Sequence, residues 1–141
     1  QLAVAHITAE APITYKRLSD LIARQHGFQR TGSQISSTVW EAVKNIPNCT
    51  RVSDGHTVYW PPDGQPQSLV PFRGLQVDGR DRLWKEVPLP ERLGLVSALK
   101  GENPLDLPRS VAEAIGYGRL TQSFRDEIAE LERLLEAPSN N

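Results

Sequence analysis

Apolar residues recur at three- and four-residue intervals over most of the chain, the spacing that places them on one face of an α-helix. Leu2, Val4, Ala5 and Ile7 predict the end of a first helix. It must stop before the Ala11-Pro12 step, because a residue preceding proline is pushed out of the helical region. Thr14 is a candidate N-cap for a second helix over about 15–26, carried by Tyr15, Leu18, Leu21 and Ile22 and ended at Gly27. After the turn Phe28-Gln29-Arg30-Thr31-Gly32, with Ser33 or Thr31 as N-cap, the stripe Ile35, Val39, Val43 and Ile46 predicts a third helix over 33–46, closed by Pro47.

The pattern then changes. Arg51-Val52-Ser53 and Thr57-Val58-Tyr59-Trp60 are β-prone runs on either side of Asp54-Gly55-His56, a strong hairpin signal, and Pro61-Pro62 ends the second run. Residues 63–88 are rich in proline and glycine and hold neither periodicity for long, yet Leu69, Val70, Phe72, Leu75, Val77, Leu83 and Trp84 punctuate them. A packed connector is expected here, docked on its neighbours and not a free tether. Helical spacing returns over about 90–100 (Leu93, Leu95, Val96, Leu99), 107–115 (Val111, Ala112, Ile115) and 121–136 (Phe124, Ile128, Leu131, Leu135).

The second set of helices echoes the first. A shift of 89 positions lays Gly27-Phe28-Gln29-Arg30 on Gly116-Tyr117-Gly118-Arg119, Leu18 and Ile22 on Leu107 and Val111, and Ile35, Val39 and Ile46 on Phe124, Ile128 and Leu135. Fixed-offset similarity marks duplicated supersecondary units. The expected fold is therefore mainly α with a small β-hairpin: a winged helix-turn-helix unit over 1–62, the connector over 63–88, a degenerate helix-turn-helix unit lacking a clear wing over 89–137, and a tail over 138–141.

Composition narrows the function classes. A lone cysteine, Cys49, allows no internal disulfide and fits a reducing compartment; it reads as a half-buried hydrophobe at the start of a strand. No run approaches the roughly 18 apolar residues of a membrane span, and the first ten residues lack the layout of a signal peptide, so a cytoplasmic chain with no membrane partner is expected. The absence of methionine, with Gln1 in first place, is the pattern of a segment drawn from a larger product. Residues 1–60 carry 6 Lys/Arg and 4 Asp/Glu (+2) and residues 61–141 carry 10 and 13 (−3), so the mild basic excess lies in the first unit. A dedicated DNA-binding module is usually far more basic.

The first unit, through Gly27-Phe28-Gln29-Arg30-Thr31-Gly32-Ser33-Gln34-Ile35 and Val58-Tyr59-Trp60-Pro61, resembles a domain-of-unknown-function family at the C-terminal end of large bacterial superfamily I DNA-helicase-like proteins. In such proteins the segment follows motor domains and a restriction-endonuclease-like domain. Leu120-Thr121-Gln122 departs from the pattern, since the second copy lacks the Thr-Gly pair. The resemblance implies an accessory, DNA-associated role and assigns no catalytic residue, the ATPase and nuclease chemistry lying in domains outside this chain.

Catalytic and cofactor motifs are missing from the sequence. No phosphate-cradling Gly-x-x-x-x-Gly-Lys-Ser/Thr loop, His-Glu-x-x-His or Cys-x-x-Cys occurs, so catalysis, metal sites and cofactors are not expected. His6, His26 and His56 lack ligand spacing and read as surface or capping residues. If the first unit docks as helix-turn-helix proteins do, its third helix enters the major groove, and Gln34, Ser37, Thr38 and Lys44, with Arg30, Thr31 and Ser33 at the helix start, face DNA. Glu41 shares that face and opposes phosphate. Lys16, Arg17, Arg51 and His56 are candidates for backbone contacts. Arg30 has a second reading as a turn-holding residue, supported by its recurrence as Arg119. Trp40 and Trp60 could stack on bases, but aromatics flanking an apolar stripe or ending a strand are more often core. The expected partners are DNA and the parent protein's other domains; the alternative is a protein-interaction or dimerisation module, with a homo-oligomer compatible with either.

Overall fold

The computed structural model describes residues 2–25, 37, 40, 41, 43, 44, 46, 49, 50, 57–61 and 64–136. It is mainly helical with small antiparallel β elements, and the chain divides into two compact units. The first comprises Gln1–Pro66, Val77–Arg80 and Lys85–Pro88; the second comprises Gln67–Gln76, Asp81–Trp84 and Leu89–Asn141. The predicted connector is thus shared between the two units.

In the first unit, α1 (Leu2–Glu10) ends ahead of Pro12, whose peptide bond with Ala11 is cis. A short strand β1 (Ile13–Thr14) follows and runs directly into α2 (Tyr15–Gln25). Thr14 Oγ1 accepts the Arg17 backbone N–H at 3.1 Å, which satisfies one of the helix's orphan donors. Ser37, Trp40, Glu41 and Val43 are helical, and β2 (Cys49–Thr50) begins at the half-buried cysteine. β2 pairs antiparallel with β3 (Val58–Tyr59), and β3 pairs on its other edge with β1, in the register Ile13↔Tyr59 and Cys49↔Tyr59. The three-stranded order β1-β3-β2 was not expected, because a two-residue strand between helices leaves no alternation to detect. Ile7, Ile13, Leu18, Leu21, Ile22, Val43 and Tyr59 form the core of this unit. Each large aliphatic side chain so enclosed contributes about 1.5–3 kcal/mol.

A second hairpin joins β4 (Gln76–Val77) to β5 (Arg80–Asp81) within the predicted connector. Its turn residues Asp78 and Gly79 both have positive φ, 54° and 73°, the conformation that tight hairpins demand and that Asp-Gly supplies. The connector is therefore not devoid of regular structure. The same dipeptide that predicted a hairpin at 54–55 recurs at 78–79, but its flanks, Gln76-Val77 and Arg80-Asp81, are too polar to read as strands. Residues 54–55 lie outside the described residues.

The second unit is built on α3 (Leu89–Lys100), α4 (Leu107–Ala114) and α5 (Gln122–Glu136), which pack on one another and bury Val96, Val111, Ala112, Phe124, Ile128 and Leu131. Asp106 caps α4 through the Arg109 N–H and is held by the Arg125 guanidinium at 3.0 and 3.2 Å. α4 stops where the sequence places its glycine. Gly116 adopts φ 78°, and the Gly116 and Tyr117 N–H groups donate to the Glu113 and Ala112 carbonyls at 3.2 and 2.8 Å.

An extended segment is clamped to the start of α3 in this unit. The fully buried Glu91 carboxylate accepts from Arg82 at 2.7 and 2.9 Å and from the Arg73 side chain and backbone at 2.9–3.1 Å. Burial pushes its pKa up, but hydrogen bonds from Arg82 and Arg73 outweigh that and hold it below its usual value. Gly94 lets the backbone of Val70 lie against the helix, where a Cβ would stand 1.8 Å from the Val70 carbonyl oxygen. Phe72, Trp84, Phe124 and Tyr117 continue the contact as a chain of aromatic neighbours, with centroids 5.2–6.4 Å apart. No described helix is long and apolar enough to cross a membrane.

Candidate nucleic-acid interface

Four of the predicted contact residues are described: Lys16, Arg17, Ser37 and Lys44. Arg30, Thr31, Ser33, Gln34, Thr38, Arg51 and His56 lie outside the described residues. Helical geometry brings Ser37, Trp40, Glu41 and Lys44 onto one arc of roughly 100°, and all four are exposed, while Val43, off that arc, enters the core. Lys16 projects from the first turn of α2 with 64% of its side chain exposed.

Neither lysine is a bare cation. Lys16 Nζ lies 3.2 Å from Asp20, one helical turn on, and Lys44 Nζ lies 2.7 Å from Glu41. Exposed pairs of this kind contribute only about 0–1 kcal/mol, so a phosphate competes with the carboxylate for either lysine at small cost.

Arg17 is a correction. Its side chain is 0% exposed, hydrogen-bonded to Glu10 at 3.0 and 3.1 Å, with Glu86 at 3.5 Å on its other side. Burial works against the charged guanidinium, but the Glu10 hydrogen bonds and the charges of Glu10 and Glu86 outweigh it, so its pKa stands above its usual value. A guanidinium enclosed in this way ties α1 to α2 and cannot reach DNA. The available signal was position: Arg17 is one turn before Leu21, at the margin of the apolar stripe, whereas Lys16 and Asp20 share the polar face.

His6 also departs from the surface role expected of it. It is buried, with Nδ1 accepting from Arg80 at 2.8 Å and Nε2 facing the Gln25 side-chain oxygen at 2.8 Å, so the neutral ring carries its proton on Nε2. Burial depresses its pKa; the Gln25 hydrogen bond opposes this and the Arg80 charge adds to it. Trp60 is buried as expected of a core aromatic, but Trp40 is not: it is 43% exposed and meets Tyr15 edge-on, with centroids 5.9 Å apart and planes at 79°.

Residues 3–37 match the family model described as a protein of unknown function, DUF3320. The matched stretch holds α1 from its second residue, β1 and α2, and therefore includes the buried Glu10–Arg17 pair as well as exposed Lys16. No curated protein matches the chain, and neither does any solved structure.

The turn Gly116-Tyr117-Gly118-Arg119 bears on Arg30 through the repeat. Arg119 is exposed, and no carbonyl or carboxylate partner for it occurs among the described residues, so the second copy gives no support to an arginine that holds the turn. Among the described residues no group of His, Cys, Asp and Glu is arranged to hold a metal ion.

Proposed function

We propose that this chain is a non-catalytic winged-helix accessory module that helps a larger helicase- or nuclease-like protein engage DNA. The observation that carries the reading is the order helix, strand, helix, helical residues, strand, strand, with the last two strands and β1 in one antiparallel sheet. A wing hairpin paired with a short strand ahead of the second helix is how a winged helix-turn-helix presents its recognition helix. The exposed arc of Ser37, Trp40, Glu41 and Lys44 is the face that such docking turns toward DNA.

Binding of the folded protein to labelled duplex, forked and single-stranded DNA, followed by fluorescence anisotropy at low and moderate salt, tests the proposal. Affinity that weakens as salt rises is expected. Absence of salt-sensitive binding to all three overturns it.

One observation favours a protein-interaction or dimerisation module instead. Both candidate contact lysines, Lys16 and Lys44, already face carboxylates, and α5 presents Asp126, Glu127, Glu130, Glu132 and Glu136 against only Arg125 and Arg133. Mass that rises with protein concentration in sedimentation, together with no DNA binding, would establish that reading.

A further inference from the structure

The indole of Trp40 is the one large hydrophobic side chain of the first unit that stands exposed among the described residues. Trp60, in the same unit, is 3% exposed, so this sequence can bury an indole where the fold requires one. Tyr15 meets Trp40 edge-to-face and offers it no parallel ring. Lys44 shares the exposed arc with Trp40. Lys16 follows Tyr15 in sequence, and the Lys44 N–H donates to the Trp40 carbonyl at 2.8 Å, which puts Lys44 one turn along the same helix face.

A protruding indole is poorly suited to a paired major groove, where base edges and not base faces are on offer. It is well suited to the face of an unpaired base, with Lys44 one turn away for an adjoining phosphate.

We infer that Trp40, with Lys44 one turn along the same helix face, is a stacking platform for an unpaired base of single-stranded DNA, so that the module reads the single-strand side of a junction. The inference rests on the DNA-associated reading above and names the form of DNA that this face takes.

The test compares a blunt DNA hairpin with the same hairpin carrying a single-stranded thymidine overhang, using the full chain and its Trp40→Ala and Trp40→Phe variants, each shown to be folded by circular dichroism. Wild type is expected to prefer the overhang by about tenfold, Trp40→Phe to keep most of that preference, and Trp40→Ala to bind both hairpins equally. Protection of tryptophan fluorescence from acrylamide by oligo(dT) is expected in wild type and lost in Trp40→Ala, since Trp60 and Trp84 are already buried. An unchanged overhang preference in Trp40→Ala overturns the stacking role and leaves the DNA reading standing. Failure of wild type to bind either hairpin overturns both.

Discussion

Single buried charges carry much of the specificity of this molecule. Arg17 is enclosed with Glu10 and Glu86, and removing only the cation would leave two carboxylates without compensation in a site of low polarity. Arg17→Met is expected to cost about 3–5 kcal/mol in urea unfolding, and adding Glu10→Leu and Glu86→Leu to it should recover most of that loss. A single variant as stable as wild type would refute the buried-pair account. His6 gives a pH dependence whose sign follows from its lowered pKa. Below its ordinary value of 6.5 the unfolded chain takes up a proton that the folded chain does not. The stability held by the neutral ring is therefore complete above that pH and is lost as pH falls from 6.5 towards the folded pKa. Unfolding free energies at pH 7.5 and 5.5 should differ less in His6→Gln than in wild type.

At the scale of elements, the extended segment on α3 depends on a close approach and a clamp. Gly94→Ala places a methyl group 1.8 Å from the Val70 carbonyl oxygen and 2.8 Å from its carbon, backbone atoms that are also held by the Val70 N–H donating to Pro90 O at 3.1 Å. A loss of about 3 kcal/mol is expected, at the upper end for overpacking, because a backbone cannot rotate aside as a side chain can. Gly101→Ala is the control, since its Cβ would meet nothing closer than 3.4 Å. Equal melting temperatures for the two variants would rule out the close approach. In the first unit, the short strand β1 makes the end of the loop after α1 also the start of α2, and the Tyr15 N–H donating to Thr57 O at 2.8 Å locks that junction to the approach of β3.

For the whole molecule the division of charge is decisive. Lys16 and Lys44 of the first unit are paired weakly, while α5 of the second unit is acidic. If DNA binds the first unit, replacing both Lys16 and Lys44 by Gln should reduce the slope of log affinity against log salt by about 2. Arg133→Gln, on α5, should leave it unchanged. Equal effects from the two sets would place the contacts elsewhere.

Much of the helical framework was legible in the sequence. The ends of α1 at Pro12 and of α4 at Gly116, the Thr14 cap and the apolar stripes of α2, α4 and α5 follow from local stereochemistry and periodicity, which act over three or four residues. Strands of two residues were not legible, because so short a run has no period, although Asp78-Gly79 carried the signal for the second hairpin. Within the candidate interface, sequence alone separated polar positions from apolar ones and set Arg17 at the margin of the apolar stripe, but did not show that its charge is enclosed. That enclosure depends on Glu10 and Glu86, which are distant along the chain and meet Arg17 only after folding. Periodicity likewise placed Trp40 beside the core stripe, whereas in the folded chain the indole meets Tyr15 edge-on and stays 43% exposed. Local sequence determined where helices begin and end; tertiary structure decided which charges are buried and which aromatic remains outside, because burial is a property of neighbours brought together from far along the chain.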